Sequence, residues 1–285
     1  MDPQKDFSGW PHAEWSRIVP CRPHRWHVQD RGQGKTLLFL HGAGASTHSW
    51  RDILPAFLDR YRVVAIDLPG HGFTQLGARQ RSSLDAMATD LAVLLESEGI
   101  EPAAIVGHSA GAAIALRLAS LSGNPPVIGL NAALQPFHGL AAFLFPLAAR
   151  VLAMTPFAVT GIVRSLSSDR RISALLAETG SVIDAEGAAY YARLCRDHDH
   201  VDGTLRMMAQ WSLDGLLSDL PAFSMTCLLL TGEQDGTVPP TVSVAAAAQM
   251  QNAVSESFDR LGHLMHEEAP ARISARLRAW LDDAI

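Results

Sequence analysis

The sequence predicts an α/β fold: a mostly parallel sheet with helices on both faces and a helical lid inserted into it. Three observations carry this expectation. Short apolar runs alternate with segments of helical period through most of the chain. The alternation stops between Ala132 and Ser218, where only helical patterns occur, and resumes at "TCLLLTGEQD" (Thr226–Asp235). Finally, "AAIVGHSAGAAIAL" (Ala103–Leu116) passes from a strand-like run through Gly-His-Ser-Ala-Gly into an alanine-rich helix. The expected organisation is a core of residues 1–131 and 219–285 with a lid of residues 132–218, a stretch too long for a plain loop.

Taken in order, "RWHVQD" (Arg25–Asp30) and "TLLFLHG" (Thr36–Gly42) read as strands, the second buried on both faces. "SWRDILPAFLDR" reads as a helix carrying Trp50, Ile53, Leu54, Phe57 and Leu58 on one stripe. "YRVVAIDLPGHG" is a strand running into a glycine-rich loop. "SLDAMATDLAVLLESEG" is a helix with Leu84, Met87, Ala88, Leu91 and Leu95 inward and Gly99 as its stop. After the Ser109 turn and its small-residue helix comes the strand of "VIGLNAA". The insertion contains "RRISALLAETG", "AEGAAYYARLCRD" and "DGTLRMMAQWSL" as helices. "VSESFDRLGH" (Val254–His263) is the last strand, and a final helix presents Ile273, Leu277, Trp280 and Leu281.

A net charge of −6 argues against a nucleic-acid partner and against a polybasic membrane anchor. The three cysteines, Cys21, Cys195 and Cys227, are too few and too scattered for a disulfide framework, which fits a reducing compartment. The N-terminal "MDPQKDFSGWPHAEW" lacks an apolar signal-peptide core, so the expected location is the cytoplasm. "LAAFLFPLAARVLAMTPFAVTGIV" (Leu140–Val163) is the most apolar stretch, but Pro146, Arg150 and Pro156 interrupt it short of a membrane span. Greasy lid helices over a pocket are expected there, with peripheral contact to a membrane left open.

The glycines at 107 and 111 explain the opening motif if Ser109 is a nucleophile on a tight strand-to-helix turn; the alternative is an ordinary glycine turn. A serine needs a base, and the base needs a carboxylate to hold its tautomer. "LLLTGEQDGTVPP" offers Asp235 just beyond a strand, and "FDRLGHLMHEEAP" offers His263 beyond the next. The position after the preceding strand is Asn131, which cannot serve as a carboxylate. The loop "FLHGAGAST" lets the N–H of Ala43 converge with that of Ala110 as an oxyanion hole. No cofactor or metal is required. "GQGKT" (Gly32–Thr36) lacks the leading glycine of a phosphate loop and precedes a strand, so ATP binding is rejected. His41 and His71 read as structural loop histidines, His266 as a cap of the last helix, and "RDHDHVD" (Arg196–Asp202) as a solvated helix–helix corner rather than a metal site.

Over nearly its whole length the chain resembles the α/β-hydrolases, whose order of nucleophile, acid and base matches Ser109, Asp235 and His263. Within that superfamily, "HGAGASTHSWRD", "DLPGHGFT", "VGHSAGAAIALRL", "GLNAALQPFHG" and "MMAQWSLDGL" resemble the BchO family, the magnesium-chelatase accessory type of bacteriochlorophyll biosynthesis. The resemblance implies work near magnesium insertion into a tetrapyrrole and contact with the chelatase. Two functions are carried forward: a serine hydrolase acting on an ester or related acyl bond of an apolar substrate, and a non-hydrolytic accessory that binds porphyrin or chelatase and retains the triad. Among the lid residues, Phe145, Met154, Met207 and Trp211 are the expected substrate contacts, since methionine and aromatic faces adapt to a flat macrocycle.

Overall fold

The computed structural model describes residues 1–78, 80–135, 158–165 and 168–285. Its centre is an eight-stranded sheet built from β1 (Ser16–Cys21), β2 (His24–Gly32), β3 (Lys35–Leu40), β4 (Tyr61–Ile66), β5 (Pro102–His108), β6 (Val127–Leu130), β7 (Cys227–Gly232) and β8 (Ala253–Phe258). The spatial order is β1-β2-β4-β3-β5-β6-β7-β8. β1 and β2 pair antiparallel, as do β2 and β4; from β4 to β8 every pairing is parallel.

The apolar runs are continuous because both faces of the parallel strands are covered. In β3, Leu38 and Leu40 pack into one core with the helices Leu84–Ser97 and Ala110–Leu121, while Leu37 and Phe39 pack into a second with Trp50, Phe57 and the helix Pro270–Ala284. β7 divides in the same way, Leu229 to the first core and Leu228 and Leu230 to the second. The parallel pairing puts the C-terminal strand ends, beyond which Ser109, Asp235 and His263 lie, on one edge of the sheet.

Between β6 and β7 the described residues form the helices Ala158–Ser165, Asp169–Glu178, Ala185–Arg196, His198–Gln210 and Asp214–Asp219. The expected greasy segment Leu140–Val163 lies largely outside the described residues. No helix among them is long and apolar enough to cross a membrane.

Several elements depart from the sequence reading. The last strand ends at Phe258 rather than His263, because the chain turns away through residues 259–262. The helix expected over "SWRDILPAFLDR" is instead two 3₁₀ turns, Thr47–Trp50 and Leu54–Phe57. Pro55 is the reason: in an α-helix its ring would clash with the Arg51 carbonyl and leave it without an amide partner. That carbonyl accepts a hydrogen bond from His12 Nε2 (2.8 Å) instead. Trp50, Ile53, Leu54 and Phe57 are buried all the same, whereas Leu58 is only half-buried. β1 has no counterpart in the sequence reading: it is an edge strand with Pro20 in it and few apolar residues. The helix Thr241–Ala247, between β7 and β8, was also not anticipated.

Candidate functional site

Ser109 follows β5 and immediately precedes the helix Ala110–Leu121, at φ 51° and ψ −117°. A non-glycine residue in that region is strained and is held there by its surroundings. Its N–H donates to the Leu130 carbonyl (2.9 Å), and its own carbonyl accepts from Ala112 and Ala133. The glycines beside it are obligatory. A Cβ on Gly107 would lie 2.5 Å from Ala112 Cα, and one on Gly111 would lie 2.3 Å from the Leu40 carbonyl oxygen. The turn is the tight strand-to-helix junction that the Gly-x-Ser-x-Gly spacing predicts.

His263 and Asp235 meet as the sequence order requires. His263 Nδ1 donates to Asp235 Oδ2 (2.8 Å), which leaves Nε2 as the proton-accepting nitrogen. The Asp235 side chain is fully buried, and its other oxygen accepts the amides of Thr237 (2.7 Å) and Val238 (2.8 Å). With both oxygens engaged, the carboxylate has a fixed direction. Ser109, His263, Ala43 and Ala110 all line one cavity of about 830 Å³. Ala110 is the first residue of its helix, so its N–H has no intrahelical acceptor.

Of the expected lid contacts, Met207 and Trp211 line this cavity; Phe145 and Met154 lie outside the described residues. Further lining comes from Ile172, Leu175 and Leu176 on the helix Asp169–Glu178 and from Tyr191 and Cys195 on the helix Ala185–Arg196. The described lining contains no lysine or arginine, while Asp214 places a carboxylate on it.

Sequence reasoning passed over the residues that fix the histidine loop. Asn131, noted only as not being an acid, is fully buried at φ 46°. Its Nδ2 donates to the carbonyls of Gly262 (3.0 Å) and His263 (2.7 Å), and its Oδ1 accepts from Gly232 N–H (2.8 Å). His108 Nε2 donates to the same His263 carbonyl (2.9 Å). Their position, at strand ends beside the site, was the available signal.

Several other described histidines are engaged within the fold. His41 donates from Nδ1 to Gly42 O and accepts Leu68 N–H at Nε2, and His71 donates to Pro69 O. His266 does not cap the last helix: it is buried in the turn Met265–Glu268 with Nε2 on Ser49 Oγ (2.8 Å). The Arg196–Asp202 corner also differs from expectation. His200 is buried there, accepting from Gly72 N–H and donating to Gly44 O, while Asp197 caps the helix His198–Gln210. Among the described residues no group of three His, Cys, Asp or Glu is arranged to hold a metal.

A second Ser-His-Asp arrangement shows that such geometry alone does not make a site. Ser16 Oγ lies 2.9 Å from His27 Nε2, and His27 Nδ1 lies 2.7 Å from Asp67 Oδ2. None of the three lines the cavity, and Asp67 also accepts the amides of Thr47 and Phe73. This set ties β1, β2 and the loop after β4 together.

Comparison with known proteins follows the same lines. Residues 37–276 match the model of a family described as the alpha/beta hydrolase family. The chain is 45% identical over 284 residues to the magnesium-chelatase 30 kDa subunit of Rhodobacter capsulatus, covering 99% of this chain and all of that one. It is 27% identical to the uncharacterized hydrolase YugF of Bacillus subtilis, over 90% of this chain and 92% of the other. Among solved structures, the epoxide hydrolase CorEH superposes with a TM-score of 0.79 at 19% identity, covering 94% of this chain and 98% of that one. A thermophilic esterase from Thermogutta terrifontis superposes with a TM-score of 0.71 at 22% identity, over 94% and 98%.

Proposed function

The chain belongs to the alpha/beta hydrolase family, and within it we propose a serine hydrolase that cleaves an ester or related acyl bond of a neutral, apolar substrate. The observation that carries this reading is that a strained Ser109 and the His263 of the His263–Asp235 pair line one large apolar cavity. Ser109 attacks the acyl carbon as His263 Nε2 takes its proton; Asp235 holds the imidazole and balances its positive charge. The amides of Ala43 and Ala110 stabilise the oxyanion. Collapse of the tetrahedral intermediate expels the alcohol, protonated by His263, and leaves an acyl-enzyme. Water activated by the same histidine then releases the acid and regenerates the serine.

The cavity wall favours neutral acyl groups, because a buried carboxylate would find no cation on the described lining and would meet Asp214. A p-nitrophenyl ester of a medium-chain fatty acid should therefore turn over at least tenfold faster, by kcat/KM, than the same ester bearing a terminal carboxylate. Equal rates would contradict this neutral-substrate reading, and no turnover of either would contradict the hydrolase reading.

The likeness to a magnesium-chelatase subunit favours a second reading and sets the biological context proposed for both. In that context the protein works in the cytoplasm, in contact with the chelatase or at the membrane periphery, with a tetrapyrrole as cavity ligand. Residues 132–218 act as the lid over it, with Met207 and Trp211 among the ligand contacts. Magnesium insertion breaks no acyl bond, so the second reading is a binding accessory that keeps the triad without using it.

A further inference from the structure

We infer that the Thr179–Gly180 turn, at the end of a cap helix, is a positioning element that holds the Asp235 and His263 loops in register. The inference rests on the proposed acid–base roles of those two residues. The Thr179 carbonyl accepts two hydrogen bonds at once, from Gly236 N–H (3.0 Å), next to Asp235, and from the N–H of His263 itself (3.1 Å). The residues that follow continue the clamp. Ser181 Oγ, buried, accepts Leu264 N–H (2.8 Å). Glu268 bridges the two chains, accepting Gly262 N–H at Oε1 (2.8 Å) and Val182 N–H at Oε2 (3.1 Å).

The approach is possible only because three glycines meet. Gly180 sits at φ +77°, and a Cβ on it would lie 1.8 Å from the Gln234 carbonyl oxygen. A Cβ on Gly236 would lie 2.5 Å from Glu178 O, and one on Gly262 would lie 2.4 Å from the Gly180 carbonyl. Three chain segments thus pack backbone against backbone, with no flexible side chain between them to yield. On the far side of the His263 loop, Asn131 and His108 hold the His263 carbonyl. The cap holds its amide and the core holds its carbonyl, so the peptide units on either side of His263 are both fixed.

A consequence is that the helix Asp169–Glu178, which walls the cavity with Ile172, Leu175 and Leu176, ends directly on the base. Displacement of that helix would be transmitted to the His263–Asp235 hydrogen bond without any intervening hinge. This part of the insertion is a brace for the acid–base pair rather than a freely swinging flap.

The test is Gly180→Ala, with Gly123→Ala as control: Gly123 has a similar φ of +81° but open space around it. On p-nitrophenyl acetate, a small substrate, Gly180→Ala should lower kcat about 10²-fold with KM within about twofold, the size of effect that a roughly 1 Å misplacement of a catalytic group produces. The parent protein should show a far-downfield proton resonance from the His263 Nδ1–H that bonds Asp235, and in Gly180→Ala this resonance should be lost or move upfield. Gly123→Ala should match the parent in both. If Gly180→Ala does not fold, Ser181→Ala loosens the same junction by one hydrogen bond, and should cost severalfold in kcat and shift the same resonance. A folded Gly180→Ala, or failing that a Ser181→Ala, with unchanged kcat and unchanged resonance would overturn the inference. The resonance needs no turnover. If the parent protein hydrolyses nothing, the hydrolase reading fails, while loss or retention of the resonance still decides for or against the brace.

Discussion

Replacing Ser109 by alanine should lower hydrolysis of neutral esters by about four to six powers of ten while leaving the fold intact. The magnitude follows from the roles of the three groups. The oxyanion amides and the cavity retain some transition-state stabilisation without the hydroxyl, but no other side chain can form the acyl-enzyme. The fold should survive because one oxygen is removed, while the glycines and backbone hydrogen bonds that impose φ 51° at residue 109 remain. The same variant separates the two functional readings. If the proposed pathway context holds, a strain that lacks this protein should accumulate metal-free porphyrin, and Ser109→Ala should fail to restore bacteriochlorophyll although the variant is folded and present. Full restoration would replace the hydrolase reading with that of a binding accessory.

The second large effect concerns acid. His41, His48, His71, His108, His200 and His266 are buried, and burial holds each below the ordinary imidazole value of 6.5, helped at His48 and His266 by the nearby Arg51 guanidinium. For His71 and His266 the value is pushed down to about 3. Below pH 6.5 the unfolded chain therefore binds protons that the folded chain refuses. The stability these groups leave intact above pH 6.5 is lost as pH falls from there toward their folded values. Each such group removes up to about 1.4 kcal/mol per pH unit between 6.5 and its folded value, and a domain held by only ~5–15 kcal/mol has little reserve against several of them. Asp67 adds to this at lower pH. Burial alone would raise its carboxyl, but the contact with His27 and the amide bonds outweigh burial and hold it well below the usual carboxylate range. Its contribution is present above the ordinary carboxylate pKa and is lost as pH falls toward the folded value. Far-ultraviolet circular dichroism should show a steep, cooperative loss of structure between about pH 6 and 4.5, with uptake of several protons. A protein still fully folded at pH 4 would contradict the account of its buried histidines.

What the sequence made legible depended on local chemistry. The strands β3 to β7 announced themselves because two-sided burial demands apolar runs, and the Ser109 turn because steric crowding leaves glycine as the only residue for positions 107 and 111. The chain order of Ser109, Asp235 and His263 pointed to the candidate site because all three lie beyond strand ends on the same edge of the sheet. The features that escaped are those made by distant backbone contacts. The Thr179 clamp uses a carbonyl, which every residue has, and β1 joins the sheet by pairing with β2 rather than by its own hydropathy. Pro55 was visible in the stretch read as one helix, yet the regular spacing of Trp50, Ile53, Leu54 and Phe57 outweighed it, although two 3₁₀ turns bury the same residues. His266 and His200 looked like solvent-facing or capping groups because nothing local reveals the serine hydroxyl and loop backbone that pair with them in the interior.

The central claim, that Ser109 is an activated nucleophile, is tested most directly by intact-protein mass spectrometry after exposure to a fluorophosphonate at neutral pH. The account predicts one adduct per chain, mapped by peptide digestion to Ser109, absent in Ser109→Ala and formed far more slowly in His263→Ala. Ser16, although hydrogen-bonded to His27 within its own Ser-His-Asp arrangement, should stay unmodified because it borders no part of the cavity. An unlabelled but folded protein, or an adduct that persists in Ser109→Ala, would contradict the account.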